Sequence, residues 1–518
     1  MGKFFEDVRS WAMNKMQLIY QKFESNAREL SDKDALIFEQ QRFSFSQVQN
    51  LVYNLDEVLK PFLSQTNSAL IVLSDNGVLT PCLAIVASKN NSTVIPAATG
   101  LRKRQLIRLF EVAKPNVMVV TEKIFLSTSM KSFLNELWFD VIVVKSSVDM
   151  KVVALFESQK EKSYIANRRN SAFVMNFTSG STGTPKAVCV SEKAKLNRII
   201  SGTVKLFNLR RDDVILVSTP QYHSLGFRQS LLPLIHGSTG VIMRNFSVSA
   251  WLKAISEHHI TFSIGIPNQL SQIAAGASNV DKKTLSCLRA LVSSSAPFSK
   301  SQREACRAAF SCKIFECFGA SEIGIASVLE IADEVSDGNS VGIPIPRVDV
   351  KILKVDAEAL TETKRGDVGE IAVKSPFAFE GYYTNCKSRI SCFEGYFRTG
   401  DLGYLNGKNE LFFKGRLAEV MKVSGINVYP KDIEFCCMEL KGVDFACAVL
   451  SKTSTGDSEI VLAVVANEAV SKDAILRHLM RELASWQIPK KVIKLDELPH
   501  GATGKIDRKA VCELFSQL

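Results

Sequence analysis

The stretch SALIVLSDNGVLTPCLAIVASKNNSTVIPAATGLRKRQLIRLFEVAKPNVMVVT, residues 68–121, alternates two kinds of segment. Short apolar runs rich in β-branched residues are typical of buried strands: SALIVLSD (68–75), STVIPA (92–97) and PNVMVVT (115–121). The longer segments between them have the length of helices: GVLTPCLAIVAS (77–88) and LRKRQLIRLFEVA (101–113). Strands that alternate with helices predict a parallel sheet with crossover helices, and therefore an α/β fold.

The same alternation of strands and helices returns further along the chain. Two regions with a different pattern of secondary structure follow it. Further strands are predicted at DVILVST (213–219), TGVIMR (239–244), ITFSIGIP (260–267) and LRALVSS (288–294). From about residue 341 short strands with glycine turns predict a compact β region. After Arg416 a hairpin, a helix, two strands and another helix predict a small α+β domain. We expect a large N-terminal domain over 1–416 and a small C-terminal domain over 417–518.

Length and composition indicate a globular protein. A chain of 518 residues is too long for one core, and its 46% hydrophobic and 23% charged residues are ordinary for this class. No apolar run of about eighteen residues predicts a membrane span, and the N-terminus lacks the apolar region of a secretory signal. The twelve cysteines show no repeated metal-binding spacing. We therefore expect reduced thiols and a cytoplasmic location.

The formal net charge of +11 is distributed unevenly. Basic and acidic residues nearly balance after residue 416, so the excess lies before it, with a local run at LRKRQLIR (101–108). Such an excess is either a solvated surface or an attraction for phosphate-rich cofactors or an acidic partner protein. Nothing in the chain resembles a nucleic-acid module, so no nucleic-acid partner is expected.

The segment FTSGSTGTPKAV, residues 177–188, follows a predicted buried strand and has an unusual composition. It contains two glycines, five hydroxyl side chains and one lysine, Lys186. Backbone N–H groups of a glycine-rich turn can point at phosphate oxygens, and the hydroxyls and the lysine add donors. The Walker pattern fails, because Gly183 is followed by Thr184 and Pro185. On this segment alone, a phosphate loop and a plain Ser/Thr/Gly linker remain open.

Four further motifs follow in a fixed order, and with the loop they resemble the signatures of the adenylate-forming superfamily. That superfamily comprises acyl- and aryl-CoA ligases, luciferases and peptide-synthetase adenylation domains. The motifs are FECFGASEIG (315–324), FRTGDLGYL (397–405), KGRLAEVMKVSGINVYPKDIE (414–434) and LPHGATGKIDRKA (498–510). The resemblance covers almost the whole chain. Among the members of the superfamily, the sequence looks most similar to acyl-CoA and acyl-carrier-protein ligases.

The resemblance implies a two-step reaction that uses ATP and Mg²⁺. A carboxylate attacks the α-phosphorus and forms an acyl-adenylate, and then a thiol takes the acyl group while AMP leaves. Since an anion attacks a polyanion, positioning and positive charge have to lower the barrier. The implied catalytic residues are Lys505, which bridges α-phosphate and carboxylate, together with Lys186 and the magnesium ligand Glu322. The acceptor is CoA or the phosphopantetheine arm of a separate carrier protein.

The resemblance also implies a nucleotide-binding set. Its members are Thr178, Ser179, Gly180, Ser181, Thr182, Gly183, Lys186, Ser294, Ser295, Ala296, Phe318, Gly319, Ala320, Ser321, Asp401, Arg416 and Lys505. Phe318 is expected to stack on adenine, and the two oxygens of Asp401 to accept hydrogen bonds from the ribose hydroxyls. Ser294 and Ser295 stand where the family often has paired glycines, which leaves less room beside the base.

A second closure is implied for thiol transfer, in which the small, mobile C-terminal domain rotates. Lys505 then leaves the site, and the hairpin that carries Lys422 and Gly425 is presented to the thiol. The pivot, two residues after Arg416, is normally Asp or Lys in the family, but here it is Ala418. That departure concerns the rotation and leaves the adenylation residues unchanged.

The segment TPQYHSLGFRQSLLPLIHGSTG (219–240) bears on the choice of acid. The resemblance places His223, Ser224 and Gly319 at the acyl pocket. Ser224 cannot supply a charge for an ammonium group, so a fatty or aryl acid is favoured over an α-amino acid. Two alternatives stay open: an amide-forming ligase, and a catalytically silent member that acts as a partner in a biosynthetic complex.

Overall fold

The computed structural model describes most of the chain, with gaps. The described residues are 17–65, 67–128, 130–160, 172–178, 186–277, 280, 282–332, 340–355, 361–383, 392–423, 426–452, 458–499 and 506–516. The α-helices are α1 (Leu18–Glu29), α2 (Phe45–Leu63), α3 (Leu79–Lys89), α4 (Lys103–Ala113), α5 (Glu122–Ser127), α6 (Glu192–Ile199), α7 (Ser224–His236), α8 (Val248–His258), α9 (Pro267–Ala277), α10 (Lys282–Leu285), α11 (Lys300–Ala309), α12 (Pro430–Glu439), α13 (Lys472–Glu482) and α14 (Arg508–Ser516). Short 3₁₀ helices cover Met130–Glu136, Leu417–Glu419 and Ser485–Gln487, and a π-helical turn covers Ile200–Lys205.

The strands before residue 345 are β1 (Asp34–Phe38), β2 (Gln41–Ser44), β3 (Ala69–Leu73), β4 (Thr93–Pro96), β5 (Val117–Thr121), β6 (Asp140–Val144), β7 (Val152–Phe156), β8 (Val174–Thr178), β9 (Lys186–Val190), β10 (Val214–Val217), β11 (Thr239–Ile242), β12 (Phe262–Gly265), β13 (Ala290–Ser294), β14 (Lys313–Ala320), β15 (Gly324–Glu330) and β16 (Ile343–Pro344). The later strands are β17 (Asp349–Leu353), β18 (Gly369–Lys374), β19 (Gly381–Tyr383), β20 (Cys392–Phe393), β21 (Tyr396–Leu405), β22 (Leu411–Arg416), β23 (Met421–Val423), β24 (Ile426–Val428), β25 (Val443–Lys452), β26 (Ser458–Ala466) and β27 (Lys491–Lys494).

Two large mixed sheets form the first part of the molecule, which confirms the α/β prediction. One has the order β16-β15-β14-β13-β12-β10-β11-β1-β2, and the other the order β19-β9-β8-β4-β3-β5-β6-β7. The central strands of both are parallel, as the alternation of strands and helices predicts. The largest hydrophobic cluster includes Leu70 and Val72 of one sheet and Leu36 and Ile215 of the other, so the two sheets share a core.

Helix starts are specified by local sequence. Ser44 and Gln47 form a reciprocal capping box at the start of α2, and Ser299 and Gln302 form another at α11. Each box satisfies two backbone N–H groups that have no partner inside the helix.

The compact β region predicted from about residue 341 is a five-stranded sheet in which β17, β18, β21 and β20 pair in that order and β22 pairs with β21. Beyond it, the predicted hairpin and helix are β23–β24 and α12, and the three-stranded sheet β25-β26-β27 follows. Two hydrophobic clusters consist only of residues from 421 onward. The last part of the chain therefore has its own core, and the boundary at 416/417 stays a prediction.

Ten cysteines whose side chains are described are free thiols, and all ten are buried or half-buried. Burial raises the pKa of the thiols of Cys306, Cys317, Cys437 and Cys447 to about 12. Across those same ranges, none of the helices combines the length and the apolar character that a bilayer crossing requires.

Candidate active site

Several of the predicted site residues lie at the carboxyl ends of neighbouring parallel strands. His223 follows β10, Ser294 and Ser295 end or follow β13, and Phe318 lies near the end of β14. Ser294 is paired directly with Cys317, the residue before Phe318. Ligands of α/β sheets bind at this edge, because the loops that leave the strands diverge there.

The loop that carries His223 is fixed by an amide clamp. Gln221 receives a hydrogen bond from the N–H of Gly77 (2.9 Å) and donates one to its carbonyl (3.0 Å). The N–H of Gln221 also donates to Asn76 at 2.8 Å. Asn76 belongs to the loop after β3, so the clamp joins loops from both large sheets. His223 occupies the N-cap position of α7, and its ring packs on that of Tyr222 with the centroids 4.5 Å apart. Ser224 is the first residue of that helix and is half-buried.

Ser295 has a backbone conformation that glycine normally adopts. Its φ is +76°, and its side chain is exposed. This is the position at which the resemblance expects the second of two glycines. A residue with a Cβ is strained at this φ, because the Cβ approaches the backbone carbonyl.

We expect Ser295→Val to lower the free energy of unfolding by about 1–2 kcal/mol, because a β-branched side chain tolerates positive φ poorly. Ala296→Val, at the exposed neighbour with ordinary φ, is the matched control and should change stability little. Urea unfolding of both variants and of Ser295→Gly measures the difference. Equal stability of the two valine variants would contradict the strain at Ser295.

A buried ion pair holds the segment after β13 against β14. Arg303 Nη2 donates to Glu316 Oε2 at 2.5 Å and to the Ser340 carbonyl at 3.0 Å, and both charged side chains are 2% exposed. Glu316 Oε1 accepts the N–H of Phe298 at 3.1 Å. One carboxylate and one guanidinium thus join three backbone segments, those at Phe298, Glu316 and Ser340.

The segment from Phe318 to Glu322 forms the end of β14 and the turn into β15. The Phe318 ring lies 5.8 Å, centroid to centroid, from that of Phe413 on β22. A Cβ on Gly319 would lie 2.2 Å from the carbonyl oxygen of Gly324, so close strand pairing requires glycine here. Ala320 ends β14, and Ser321, like Glu322, is half-buried in the turn.

Tyr382 lies between Glu322 and Lys186 in space and contacts both. The Tyr382 hydroxyl donates to Glu322 Oε1 at 2.8 Å, and Lys186 Nζ lies 5.3 Å from the centroid of the Tyr382 ring. Lys186 opens β9, which pairs with the strand of Tyr382. The structure thus places two predicted catalytic residues on either side of a tyrosine that sequence reasoning missed, because nothing in GYYTN marks it.

Glu322 fits the role of a magnesium ligand. Its carboxylate supplies the hard oxygen atoms that Mg²⁺ prefers, and Tyr382 orients one of them. The Glu322 backbone is also fixed, because its carbonyl accepts from the N–H of Phe379 at 2.6 Å and from Arg198 Nη2 at 3.2 Å. One carboxylate suits an ion that takes its other ligands from phosphate and water.

Asp401 and Arg416 face each other on β21 and β22. Arg416 Nε lies 2.8 Å from Asp401 Oδ1, and the side chain of Asp401 is 3% exposed against 46% for Arg416. Thr399 Oγ1 accepts the N–H of Asp401 at 3.0 Å and fixes the strand locally. The arrangement presents a buried carboxylate behind an accessible guanidinium.

The residues of the predicted second step lie beyond Arg416. Ala418 is exposed in the 3₁₀ turn Leu417–Glu419, and Lys422 is exposed on the β23–β24 hairpin. Glu419, next to Ala418, accepts from Arg508 Nε at 2.9 Å, and Arg508 also pairs with the buried Glu434 at 2.7 Å. The last two motifs therefore meet inside the C-terminal part.

Several predicted residues lie outside the described part of the chain: Ser179, Gly180, Ser181, Thr182, Gly183, Gly425 and Lys505. Thr178 ends β8, where its backbone pairs with Lys186.

Comparisons with known proteins place this geometry in a family. Residues 23–383 match the family described as AMP-binding enzyme. An indoleacetate–CoA ligase of Aromatoleum aromaticum is 27% identical over 94% of this chain and 96% of its own length. A 4-coumarate–CoA ligase of Vanilla planifolia is 28% identical over 64% of this chain, an alignment that spans 62% of that relative.

Solved structures show the same fold. ATP-bound MatB from Rhodopseudomonas palustris has a TM-score of 0.83 at 21% identity and covers 96% of this chain and 99% of its own. The amide bond synthetase McbA from Marinactinospora thermotolerans has a TM-score of 0.82 at 21% identity, with coverages of 96% and 99%. Since the family match extends over more than half of the residues, the chain belongs to the AMP-binding enzyme family.

Proposed function

We propose that this protein is an ATP-dependent acid–thiol ligase. It activates a carboxylic acid as the acyl-adenylate with release of pyrophosphate, and transfers the acyl group to a thiol with release of AMP. The observation that carries the proposal is the grouping of Lys186, Tyr382 and Glu322 at 2.8 and 5.3 Å, in a chain of the AMP-binding family. The named activities of the relatives, CoA ligation of indoleacetate and 4-coumarate, support the thiol acceptor.

The chain's own residues divide the work of the first step. Lys186, the first residue of β9, places one positive charge at the site. Lys505 adds a second positive charge from the C-terminal part. Phe318 offers an aromatic face for adenine, and Asp401 accepts from the ribose after Arg416 moves aside. Bound Mg²⁺ would be held by Glu322, and it supplies charge neutralisation of the phosphates. Oriented charges of this kind lower the barrier for an anionic nucleophile.

The acid lies against His223 and Ser224, and an aryl or fatty acid suits this pocket better than an α-amino acid. The acceptor is CoA or the pantetheine of a separate carrier protein, and the basic excess before residue 417 suits either anion. The reduced, buried cysteines fit a cytoplasmic location.

The test is an incubation of the protein with ATP, Mg²⁺, a panel of aryl, fatty and amino acids, and either CoA or an amine. We expect pyrophosphate, AMP and thioester to form together with CoA. Glu322→Gln is the matched background control, because it keeps the shape of the side chain and removes the charge. Product formation only with amines would replace the proposal by amide ligation, and silence across the panel would favour a non-catalytic member.

A further inference from the structure

Three basic side chains are buried together on helices α6 and α7. Lys195 and Arg198 lie on α6, three residues apart, and Arg228 lies on α7. Their exposed fractions are 0%, 2% and 7%. Basic side chains are almost never buried to this degree unless a charged partner compensates them, because transfer of a cation out of water is costly.

No acidic group among the described residues pairs with any of the three. Lys195 Nζ has no hydrogen-bond acceptor within those residues and lies 5.1 Å from the centroid of the Phe227 ring, and Arg228 Nε likewise has none. Arg198 donates only to neutral carbonyl groups, those of Phe377 at 2.7 Å and Glu322 at 3.2 Å. Within the described ranges the three basic groups therefore have no direct ion pair, although the charge of Glu322 attracts Arg198 from a distance.

Burial of these basic groups lowers their pKa values. Burial, followed by the nearby charges of Arg198 and Arg228, holds the pKa of Lys195 well below its usual value. Burial lowers the pKa of Arg228 to about 10. An anion that enters the cluster would relieve all three groups at once.

The cluster adjoins the proposed chemistry. Arg228 follows Ser224 by about one turn of α7, and Cys317, beside Phe318, is close enough to interact electrostatically with Arg228. Arg198 holds the carbonyl of Glu322, whose carboxylate is the proposed magnesium ligand. The cluster is thus connected to the residues of the predicted acyl pocket through α7, and to Glu322 through Arg198.

We propose that the acid this enzyme activates carries a second carboxylate, remote from the reacting one, which binds to Lys195, Arg198 and Arg228. This inference rests on the proposed ligase function and narrows its substrate class. The reacting carboxylate stays beside His223 and Ser224, and the acyl chain directs the second carboxylate into the cluster. Arg198 also fixes backbone carbonyl groups, but Lys195 and the Nε of Arg228 have no acceptor among the described residues, and a second carboxylate would supply one.

The test compares matched pairs of acids: glutarate against pentanoate, and 4-carboxyphenylacetate against phenylacetate and against the methyl ester of its ring carboxylate. Binding is measured by isothermal titration calorimetry in the presence of AMP, and pyrophosphate release is measured separately. We expect the diacids to bind at least roughly a hundredfold more tightly than the neutral-tailed acids, because the neutral tails leave the buried cations unpaired.

Lys195→Met and Arg228→Met should each abolish most of this preference and improve the binding of the neutral-tailed acids. Lys193→Met, on the same helix but exposed, is the matched control and should keep the preference. Equal or weaker binding of the diacids by the unmodified protein, or a preference that survives both methionine variants, would overturn the inference. Diacid binding without pyrophosphate release would support the dicarboxylate site and reject the ligase function. Turnover of neutral-tailed acids alone would support the ligase function and reject the dicarboxylate site.

Discussion

Lys505→Ala should lose the formation of acyl-adenylate by about a hundred- to a thousandfold, which corresponds to roughly 3–4 kcal/mol for one oriented charge. The expected reason is that Lys505 offsets the repulsion between the carboxylate and the α-phosphate only while the two meet. The second step should be nearly unchanged, since the rotation that the resemblance implies would by then have turned this lysine away. The variant should therefore fail with acid, ATP and CoA, yet convert a chemically prepared acyl-adenylate and CoA into thioester.

Lys509→Ala is the matched control, because Lys509 is an exposed residue of α14 four positions further on. Lys422→Ala, on the β23–β24 hairpin, should show the opposite pattern, with normal pyrophosphate release and slow thioester formation. If Lys505→Ala lost both steps equally, the lysine would act in both closures, and the domain rotation that the resemblance implies would not describe this protein.

Arg303→Met should lower the free energy of unfolding by about 3–5 kcal/mol, because it leaves Glu316 buried without its cation. Burial, which outweighs the effect of Arg303, raises the pKa of Glu316 to about 7 from the ordinary 4.5. The folded state therefore binds more protons than the unfolded state between these values, and stability falls as pH rises through 7. Without the arginine the pKa rises further, so the stability gap between variant and unmodified protein should widen above pH 7.

Chemical denaturation at pH 6 and pH 8.5 measures both effects. The double variant Arg303→Met with Glu316→Gln is the control, since it removes the buried charge together with its partner and should recover much of the loss. A destabilisation that is the same at both pH values and persists in the double variant would show that packing of the arginine stem, and not the charge on Glu316, is responsible.

Local sequence predicted the elements well and their arrangement poorly. The helix predicted over 101–113 is Lys103–Ala113, and the hairpin predicted after Arg416 is β23–β24. The helix predicted after that hairpin is α12, which contains Cys436 and Cys437. Sheet membership could not be predicted, because the pairing of β1 with β11, some two hundred residues apart, depends on packing and not on local pattern.

The residues of the candidate site also fall into two groups, those that the sequence could indicate and those that only the fold brings together. Residues inside ordered motifs, such as Glu322 and Asp401, could be proposed from the sequence because the motifs resemble those of a family, and their roles stay predictions. Tyr382 could not, since its contact with Glu322 arises from the pairing of β19 with β9. The buried cations could not either, because lysine and arginine in a helix predict a solvated face, and Lys193 and Lys195 differ only in the direction in which they point.

The burial of the cysteines protects the enzyme from its own intermediate. An acyl-adenylate is an electrophile that thiolates intercept, and Cys317 directly precedes the residue proposed to stack on adenine. Because burial raises the pKa of Cys317 to about 12, this thiol stays protonated at neutral pH. Self-acylation is therefore suppressed by protonation of the neighbouring sulfur, and the activated acid persists until an external thiol arrives.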